Sequence, residues 1–229
     1  MRYLVTSDVH LGSGFTDVEL FTKMVKRLDQ SVCLVLNGDT IDAPGKALSA
    51  AAEAALQALR VRAVSLPVIW IEGNHDDGYL PPGTTGLRFE RGFAIGEWIY
   101  ITHGDSFDDV MPNNRWSIRL FKFFHNWRMR LGAHPVHVAE YAKKFGVLYR
   151  YLCQKVRTCA IDYAGERGFK VIVCGHVHFA EDTLIEGIRY INLGAWTESP
   201  CYCLLVDGQD MQLIAVSEAL KNKSWFEVD

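Results

Sequence analysis

Leu34-Val35-Leu36-Asn37-Gly38-Asp39 is the stretch that decides the fold, because an apolar run leads here through a glycine into a carboxylate. Residues 32–36 have the continuous apolar character of a parallel strand that is buried on both faces. A polar residue at the end of such a strand lies at the rim of the sheet, where α/β proteins bind ligands. On its own, however, the Gly-Asp pair would indicate only a turn, so the interpretation of Asp39 depends on the rest of the chain.

Four other strand-like runs end in the same manner, each in side chains that can bind a metal ion. The motifs at these ends are Asp8-Val9-His10, Gly73-Asn74-His75-Asp76, His103-Gly104-Asp105 and Gly175-His176-Val177-His178. Since strand ends at one edge of a sheet converge in space, we expect the motifs to meet. A carboxylate that all of them can reach is able to bridge two cations, and this is the role predicted for Asp39.

The predicted ligands form a mixed nitrogen and oxygen set that contains no thiolate. They are Asp8, Asp39, Asn74, His10, His103, His176 and His178. Such a set suits Mn²⁺, which we expect first, or Fe, Zn²⁺ or Ni²⁺, and does not suit Ca²⁺ or structural zinc. It is too large for one ion but fits two divalent ions roughly 3.5–4 Å apart, as in two-metal phosphoryl-transfer enzymes.

The order of the predicted elements indicates an α/β fold, with strands and helices alternating first and β-hairpins following. Strands are predicted over residues 3–6, 32–36, 67–71, 97–102, 170–174, 183–185, 188–192, 202–206 and 211–216. A capping box, Thr16-Asp17-Val18-Glu19, is predicted to begin the first helix, and residues 47–62 the second. Residues 1–229 are predicted to form one domain, which 106–169 interrupt as a helical insertion with helices over 115–131 and 136–164.

The insertion also carries an unusual charge. Residues 111–157 hold ten Lys or Arg and one acid, a net charge of +9, whereas the remainder holds 14 basic and 26 acidic residues, a net charge of −12. Aromatic residues are interleaved with the basic ones, which suggests an amphipathic cap over the site or a helix that lies on a membrane surface. The alternative is an ordinary amphipathic hairpin that packs on the domain.

Taken together and in this order, the five motifs resemble those of the calcineurin-like metallophosphoesterases over residues 3–196. The resemblance implies a four-layer sandwich of two mixed β-sheets flanked by helices, with a helical cap insertion. The first metal ion would take Asp8, His10, Asp39 and His178, and the second Asp39, Asn74, His103 and His176. His75 would protonate or stabilise the leaving oxygen, and Asp42 would orient His75 unless it is only an exposed helix cap.

Within this family, the insertion and the sequences around His103, His176 and Gly194 look like the UDP-2,3-diacylglucosamine diphosphatase branch. That branch hydrolyses a lipid-linked pyrophosphate to UMP and lipid X during lipid A synthesis, and its cap receives acyl chains and touches the inner membrane. Part of it has Arg in place of His75. Asp105, Asp108 and Arg115 are predicted to contact the substrate, although the two acids equally fit a solvated loop.

Two other functions stay open at this stage. One is a soluble metallophosphoesterase for a nucleotide, a cyclic nucleotide or a phosphoprotein. The other is a nuclease or an inactive binding module that uses the basic segment, although nucleic acid is not an expected partner. The chain has no 18-residue apolar run and no signal-peptide layout, and its six cysteines are scattered. We therefore predict a cytoplasmic protein with reduced thiols that associates peripherally with the inner membrane.

Overall fold

The computed structural model describes residues 1–66, 68–81, 83, 86–108 and 146–227. The strands of this part of the chain are β1 (Arg2–Thr6), β2 (Val32–Asn37), β3 (Val68–Ile71), β4 (Leu87–Glu90), β5 (Phe93–Ile95), β6 (Ile99–Ile101), β7 (Val171–Cys174), β8 (Glu181–Ile185), β9 (Ile188–Asn192), β10 (Tyr202–Asp207) and β11 (Asp210–Ala215). The helices are α1 (Val18–Arg27), α2 (Ala50–Ser65), α3 (Gly146–Arg167) and α4 (Val216–Ala219), with a short 3₁₀ helix at Asp105–Phe107.

These strands form two mixed sheets. The first has the order β11-β10-β1-β2-β3-β4, and the second has the order β5-β6-β7-β9-β8. Strands β1 to β4 are parallel to one another, as are β6, β7 and β9, while the hairpin strands pair antiparallel. In each sheet the parallel strands are neighbours, so their carboxyl ends point to the same side of the sheet.

The two sheets stack face to face, and helices cover both outer faces. Val35 of β2 and Val173 of β7 belong to the apolar layer between the sheets. Leu34 faces outward instead and packs in the cluster that holds α1 and α2, whereas α3 covers the second sheet around Tyr190. Strands buried on both faces explain the continuous apolar run of β2, and each large side chain removed from water stabilises the fold by about 1.5–3 kcal/mol. The predicted four-layer α/β sandwich is confirmed.

Two strands were not predicted from the sequence. Strands β4 and β5 lie at the edges of the two sheets, pair with one neighbour each and are only partly buried. β4 carries the charged residues Arg88 and Glu90, which form an ion pair with 2.6 Å between Nε and Oε1. A short strand with exposed, charged positions lacks the apolar run by which central strands are recognised.

The predicted capping box of α1 is wrong. Asp17 is the N-cap residue, and its Oδ1 accepts a hydrogen bond of 2.9 Å from the Leu20 amide. The hydroxyl of Thr16 is engaged elsewhere, since its Oγ1 lies 2.8 Å from the carbonyl oxygen of Val9 and 2.7 Å from that of His10. Thr16 therefore supports the loop that carries the first metal motif.

The predicted insertion is described only in part. Helix α3 overlaps the helix predicted over 136–164, begins at Gly146 and extends to Arg167. The helix predicted over 115–131, together with Arg115, lies outside the described residues, so the domain boundaries remain a prediction. In the part of the chain that the structure describes, no helix combines the length and the apolar character needed to cross a bilayer.

Candidate metal centre

The five predicted motifs follow the carboxyl ends of parallel strands in both sheets. Backbone hydrogen bonds join the loops that carry them: the Asp8 amide donates to the Gly38 carbonyl at 3.1 Å, and the His10 amide donates to the Asp39 carbonyl at 2.9 Å. The amide of Gly175 donates to the carbonyl of His103 at 2.9 Å in the second sheet. The motifs therefore share one edge of the sandwich, as the spacing predicts.

The backbone at this edge adopts a conformation that few residues tolerate. Only six non-glycine residues of the described chain have positive φ angles, and all but Glu186 belong to the predicted ligand set. The five are Asp8 (52°), His10 (50°), Asp39 (50°), His176 (67°) and His178 (55°). A side chain in this left-handed region costs about 1 kcal/mol or more, so the surrounding structure holds these residues there against their preference.

Asp39 lies between two groups of potential ligands. Its Oδ1 is 3.4 Å from Nε2 of His103, and its Oδ2 is 3.8 Å from Nε2 of His10. Three clusters have ligand atoms within 4.8 Å of one another: Asp8 with His10 and His178, Asp39 with His10 and His75, and Asp39 with Asp8 and His103. Each oxygen of Asp39 thus faces a different set of imidazoles, which is the geometry of a bridging carboxylate.

The remaining two predicted ligands, Asn74 and His176, meet at a separate point. Nδ1 of His176 lies 2.9 Å from Oδ1 of Asn74, and Nε2 of the same ring lies 2.8 Å from Oδ2 of Asp108. The His176 amide also donates to Asp8 Oδ2 at 3.0 Å. The structure therefore brings all seven predicted metal ligands to one edge, although their individual roles remain predictions.

The hydrogen-bond partners of His103 indicate whether this set of side chains fits metal ions. The residue is buried, its Nδ1 lies 3.0 Å from the Asn37 carbonyl oxygen, and its buried Nε2 has no hydrogen-bond partner among the described residues. If Nδ1 donates its hydrogen to that carbonyl, the lone pair of Nε2 is directed toward Asp39. A cation would satisfy this buried nitrogen in place of a proton, so the donor set fits a metal centre.

Electrostatics at the centre favour a cation. Burial opposes ionisation of Asp8 and Asp39, but the neighbouring imidazoles, His103 foremost, hold the pKa of both carboxyl groups below the usual range. Burial also opposes a charge on His103, yet Asp39 and Asp8 outweigh it and raise the pKa of His103 to about 10. Without metal, a proton on His103 balances the carboxylates, and a bound cation would take over that role.

His75 and Asp42 lie beside the cluster, but not quite as the family pattern implies. Nδ1 of His75 lies 2.7 Å from the backbone carbonyl oxygen of Asp42, and its Nε2 is 3.9 Å from Asp39 Oδ2. The Asp42 carboxylate is closer to Nδ1 of His10, at 3.3 Å, than to Nδ1 of His75, at 3.8 Å. His75 is thus oriented chiefly by a backbone carbonyl, and its side chain is 36% exposed, open to a substrate.

The predicted substrate residues have different surroundings. Asp105 is half-buried in the 3₁₀ helix, whereas Asp108 is buried with its carboxylate against His176. Arg115 lies outside the described residues. All three assignments stay predictions.

Sequence reasoning missed the role of Asp76, which follows His75 directly. This buried carboxylate accepts hydrogen bonds from the amides of Gly73 (2.8 Å), Thr40 (2.7 Å) and Ile41 (3.3 Å) and from the Trp70 indole (3.2 Å). Burial nevertheless raises the pKa of Asp76. Asp76 ties the loop after β3 to the loop after β2, and no local pattern marks that function, because Thr40 and Ile41 lie far from Asp76 in the chain.

Comparison with known proteins identifies a family that the chain matches. Residues 1–180 match the family model of the calcineurin-like phosphoesterases. No curated protein matches the chain.

Several solved structures are similar to the chain. A conserved uncharacterised protein of Streptococcus pneumoniae TIGR4, a predicted phosphoesterase, is 19% identical, with 94% of this chain and 90% of that chain covered and a TM-score of 0.45. Yfce, a phosphoesterase from E. coli, is 17% identical, with 100% and 97% covered and a TM-score of 0.47. Vps29 of Chaetomium thermophilum is 13% identical, with 93% and 86% covered and a TM-score of 0.49.

Proposed function

Since the chain belongs to the calcineurin-like phosphoesterase family and is a metal-dependent phosphoester hydrolase, we propose that it acts on a lipid-linked pyrophosphate. The proposed substrate is UDP-2,3-diacylglucosamine, which would be split into UMP and lipid X in lipid A synthesis. Phosphoesterases of one fold act on many substrates, so the proposal depends on features of this chain beyond the metal centre.

The observation that carries the proposal is where the basic segment of residues 111–157 joins the rest of the protein. On its N-terminal side, Asp108 lies 2.8 Å from the ring of His176. Near its C-terminal end, the Tyr149 hydroxyl donates a hydrogen bond of 2.7 Å to the carbonyl of Val177, between two predicted ligands. The described residues before this +9 segment and near its C-terminal end therefore contact the loop that carries His176 and His178, which favours an anionic substrate that also contacts the segment.

Exposed apolar side chains on α3 and in the loop after β7 support an acylated substrate. Val147 and Tyr151 of α3 are 78% and 55% exposed, and Phe179, directly after His178, is 46% exposed. The ring of Phe179 contacts that of Tyr149, with 6.5 Å between centroids. Acyl chains on this surface would bury apolar area, and each buried methylene contributes about 0.8 kcal/mol.

The protein's own groups have distinct tasks in this reaction. The two metal ions, when bound, supply the electrophilic and water-activating chemistry of phosphoryl transfer. Because Nδ1 of His75 faces the Asp42 carbonyl at 2.7 Å, that nitrogen carries a hydrogen, and Nε2 is left to face the substrate. His75 can therefore protonate a leaving oxygen only as the imidazolium, and as neutral imidazole it would first have to take up a proton at Nε2.

The choice of metal ion also belongs to this proposal. We place Mn²⁺ ahead of Fe, Zn²⁺ and Ni²⁺, because a set of carboxylates, an amide and imidazoles without thiolate suits a hard to borderline cation. Reconstitution of metal-free protein with each ion separately, followed by activity measurements, tests the order. Higher turnover with Zn²⁺ than with Mn²⁺ would contradict it.

The substrate itself is tested by comparing two matched compounds with purified, Mn²⁺-loaded protein. We expect faster release of UMP, measured by mass spectrometry, from the diacyl pyrophosphate than from its deacylated analogue. Replacing Phe123→Ser and Phe124→Ser together should shrink that preference and leave turnover of a small aryl phosphodiester nearly unchanged. Equal rates on both compounds would instead indicate a soluble phosphoesterase for a nucleotide, a cyclic nucleotide or a phosphoprotein.

A further inference from the structure

We propose that Asp108 is a positioning residue for the metal ligand His176, which it holds so that Nδ1 of the imidazole faces the second metal ion. The inference rests on one part of the proposed function, that the hydrolase binds two metal ions. It does not depend on the proposed lipid substrate.

The geometry around His176 supports this assignment from both sides of the ring. Oδ2 of Asp108 lies 2.8 Å from Nε2, and Oδ1 of Asn74 lies 2.9 Å from Nδ1. The Asp108 side chain is 1% exposed and that of His176 is 11% exposed. Both ring nitrogens thus have an oxygen partner, and the contact with Asp108 is the more buried of the two.

The two partners determine which nitrogen can bind a cation. A neutral imidazole carries one hydrogen, and an ionised carboxylate can only accept it, so the hydrogen belongs on Nε2 toward Asp108. The lone pair of Nδ1 is then directed toward Oδ1 of Asn74. Two acceptor atoms facing each other at 2.9 Å have no hydrogen to share, whereas a cation between them would bind both.

Asp108 differs from the groups behind the other imidazoles. His103 has a neutral backbone carbonyl behind it, at 3.0 Å, and the Asp42 carboxylate behind His10 lies farther away, at 3.3 Å. The pair of Asp108 and His176 is therefore the shortest carboxylate contact of these three rings. A carboxylate in this place fixes the ring orientation and makes the ligating nitrogen more basic, and losing such a partner typically costs about 10–100-fold in metal affinity.

Burial argues against direct substrate contact by Asp108. Its carboxylate is already engaged by His176 and has almost no accessible surface, so it would have to leave the ring to reach a substrate. That contact would also abolish the support of His176. The two roles therefore predict different experimental results.

The test is a metal titration of Asp108→Asn and Asp108→Ala without substrate. Metal-free protein is equilibrated with increasing free Mn²⁺, and bound ions per chain are measured by elemental analysis. We expect the first ion to bind as in the unmodified protein and the second to need about 10–100-fold more free Mn²⁺ in Asp108→Ala. Asp108→Asn keeps an acceptor oxygen without the charge, so its shift should be smaller.

Asp162→Asn, which removes an exposed carboxylate on α3, is the matched control and should leave both ions unchanged. Two ions bound to Asp108→Ala as tightly as to the control would overturn the proposal. So would a parallel loss of both ions, because that result would indicate a structural role. If Asp108→Ala does not fold, Asp108→Asn decides the question. Because no substrate is present, failure of the lipid proposal would not alter this result.

Discussion

At the residue scale, Asp39 is the side chain predicted to serve both ion sites. Its two oxygens lie 3.4 Å and 3.8 Å from the Nε2 atoms of His103 and His10. If Asp39 bridges two ions, Asp39→Ala would remove one oxygen from each at once, so we expect the metal content to fall from about two ions per chain toward one or none, with loss of hydrolysis. Elemental analysis of the purified variant is the measurement.

Asp182→Ala is the control for this experiment, since Asp182 is an exposed carboxylate on β8 that pairs with Arg189. It should retain both ions and full turnover. If Asp39→Ala retained both ions and full turnover as well, Asp39 would not be the bridge.

Substitution of His75 should reduce catalysis without affecting metal binding. Its side chain is the most exposed of the groups around Asp39, and Nε2 lies 3.9 Å from Asp39 Oδ2. We expect His75→Ala to keep both ions and to lose turnover by roughly 10²–10⁴-fold, the range for a positioned acid. Asp42→Asn should lose less, because the backbone carbonyl that contacts His75 remains.

Metal content and kcat of the same His75→Ala preparation decide between two roles. Asp39, His10 and His75 also form one of the clusters that could hold a cation. Loss of an ion together with activity would make His75 a ligand and would place the assignment of Asn74 in question.

At the scale of elements, the centre depends on how closely the strand-end loops of the two sheets approach. A Cβ atom on Gly175, directly after β7, would overlap with Ser7 Oγ and Asp8 Oδ2 of the loop after β1. Gly175→Ala should therefore push Asp8 out of place and weaken metal binding while the strands stay paired. We expect at least a roughly tenfold loss of Mn²⁺ affinity, comparable to removing a group that supports a ligand.

Gly14→Ala is the matched control, because a Cβ atom added there would have no other described residue within 4 Å beyond its chain neighbours, and its φ angle is not positive. Circular dichroism of both variants should show unchanged secondary structure. Normal Mn²⁺ affinity in Gly175→Ala would mean that the two loops can separate without affecting the ligands.

At the scale of the whole molecule, charge is divided unevenly along the chain. Residues 111–157 carry +9 and the remainder −12. If the basic segment rests on an anionic leaflet, the protein should sediment with vesicles that contain phosphatidylglycerol and be released at high salt. Each charge removed should weaken binding by roughly 1 kcal/mol, about fivefold in the partition coefficient.

Lys143→Gln with Lys144→Gln tests this expectation, and Lys221→Gln with Lys223→Gln is the control of equal charge outside the segment. Equal vesicle binding by the two double variants, or none by the unmodified protein, would contradict a role of the segment in membrane association.

Packing across both sheets also predicts which thiols react. Burial raises the pKa of Cys33 to about 11 and those of Cys201 and Cys203 to about 12, and it raises the pKa of Cys174 as well. A thiol reagent near neutral pH should therefore label native protein only at the half-buried Cys153 and Cys159, and unfolded protein at all six cysteines. Peptide mass spectrometry locates the labels, and rapid labelling of Cys203 in native protein would contradict the described core.

The sequence by itself determined the fold class and the residue types of the centre. Five strand ends could be predicted, because each joins a buried apolar run to a motif with Asp, Asn or His. They are the ends of β1, β2, β3, β6 and β7. These signals are local in the chain. The edge strands β4 and β5 were not predicted, because β4 has charged positions and β5 is only three residues long, which gives neither a comparable apolar run.

Only the tertiary structure decided how these groups face one another. It brings the Asp42 carboxylate closer to His10 than to His75, and it places Asp108 behind His176. It also reveals Asp76 as the carboxylate that joins the loops after β2 and β3. The physical reason is that such contacts join residues far apart in the chain, and their hydrogen bonds form only when the strands that carry these loops are paired within a sheet.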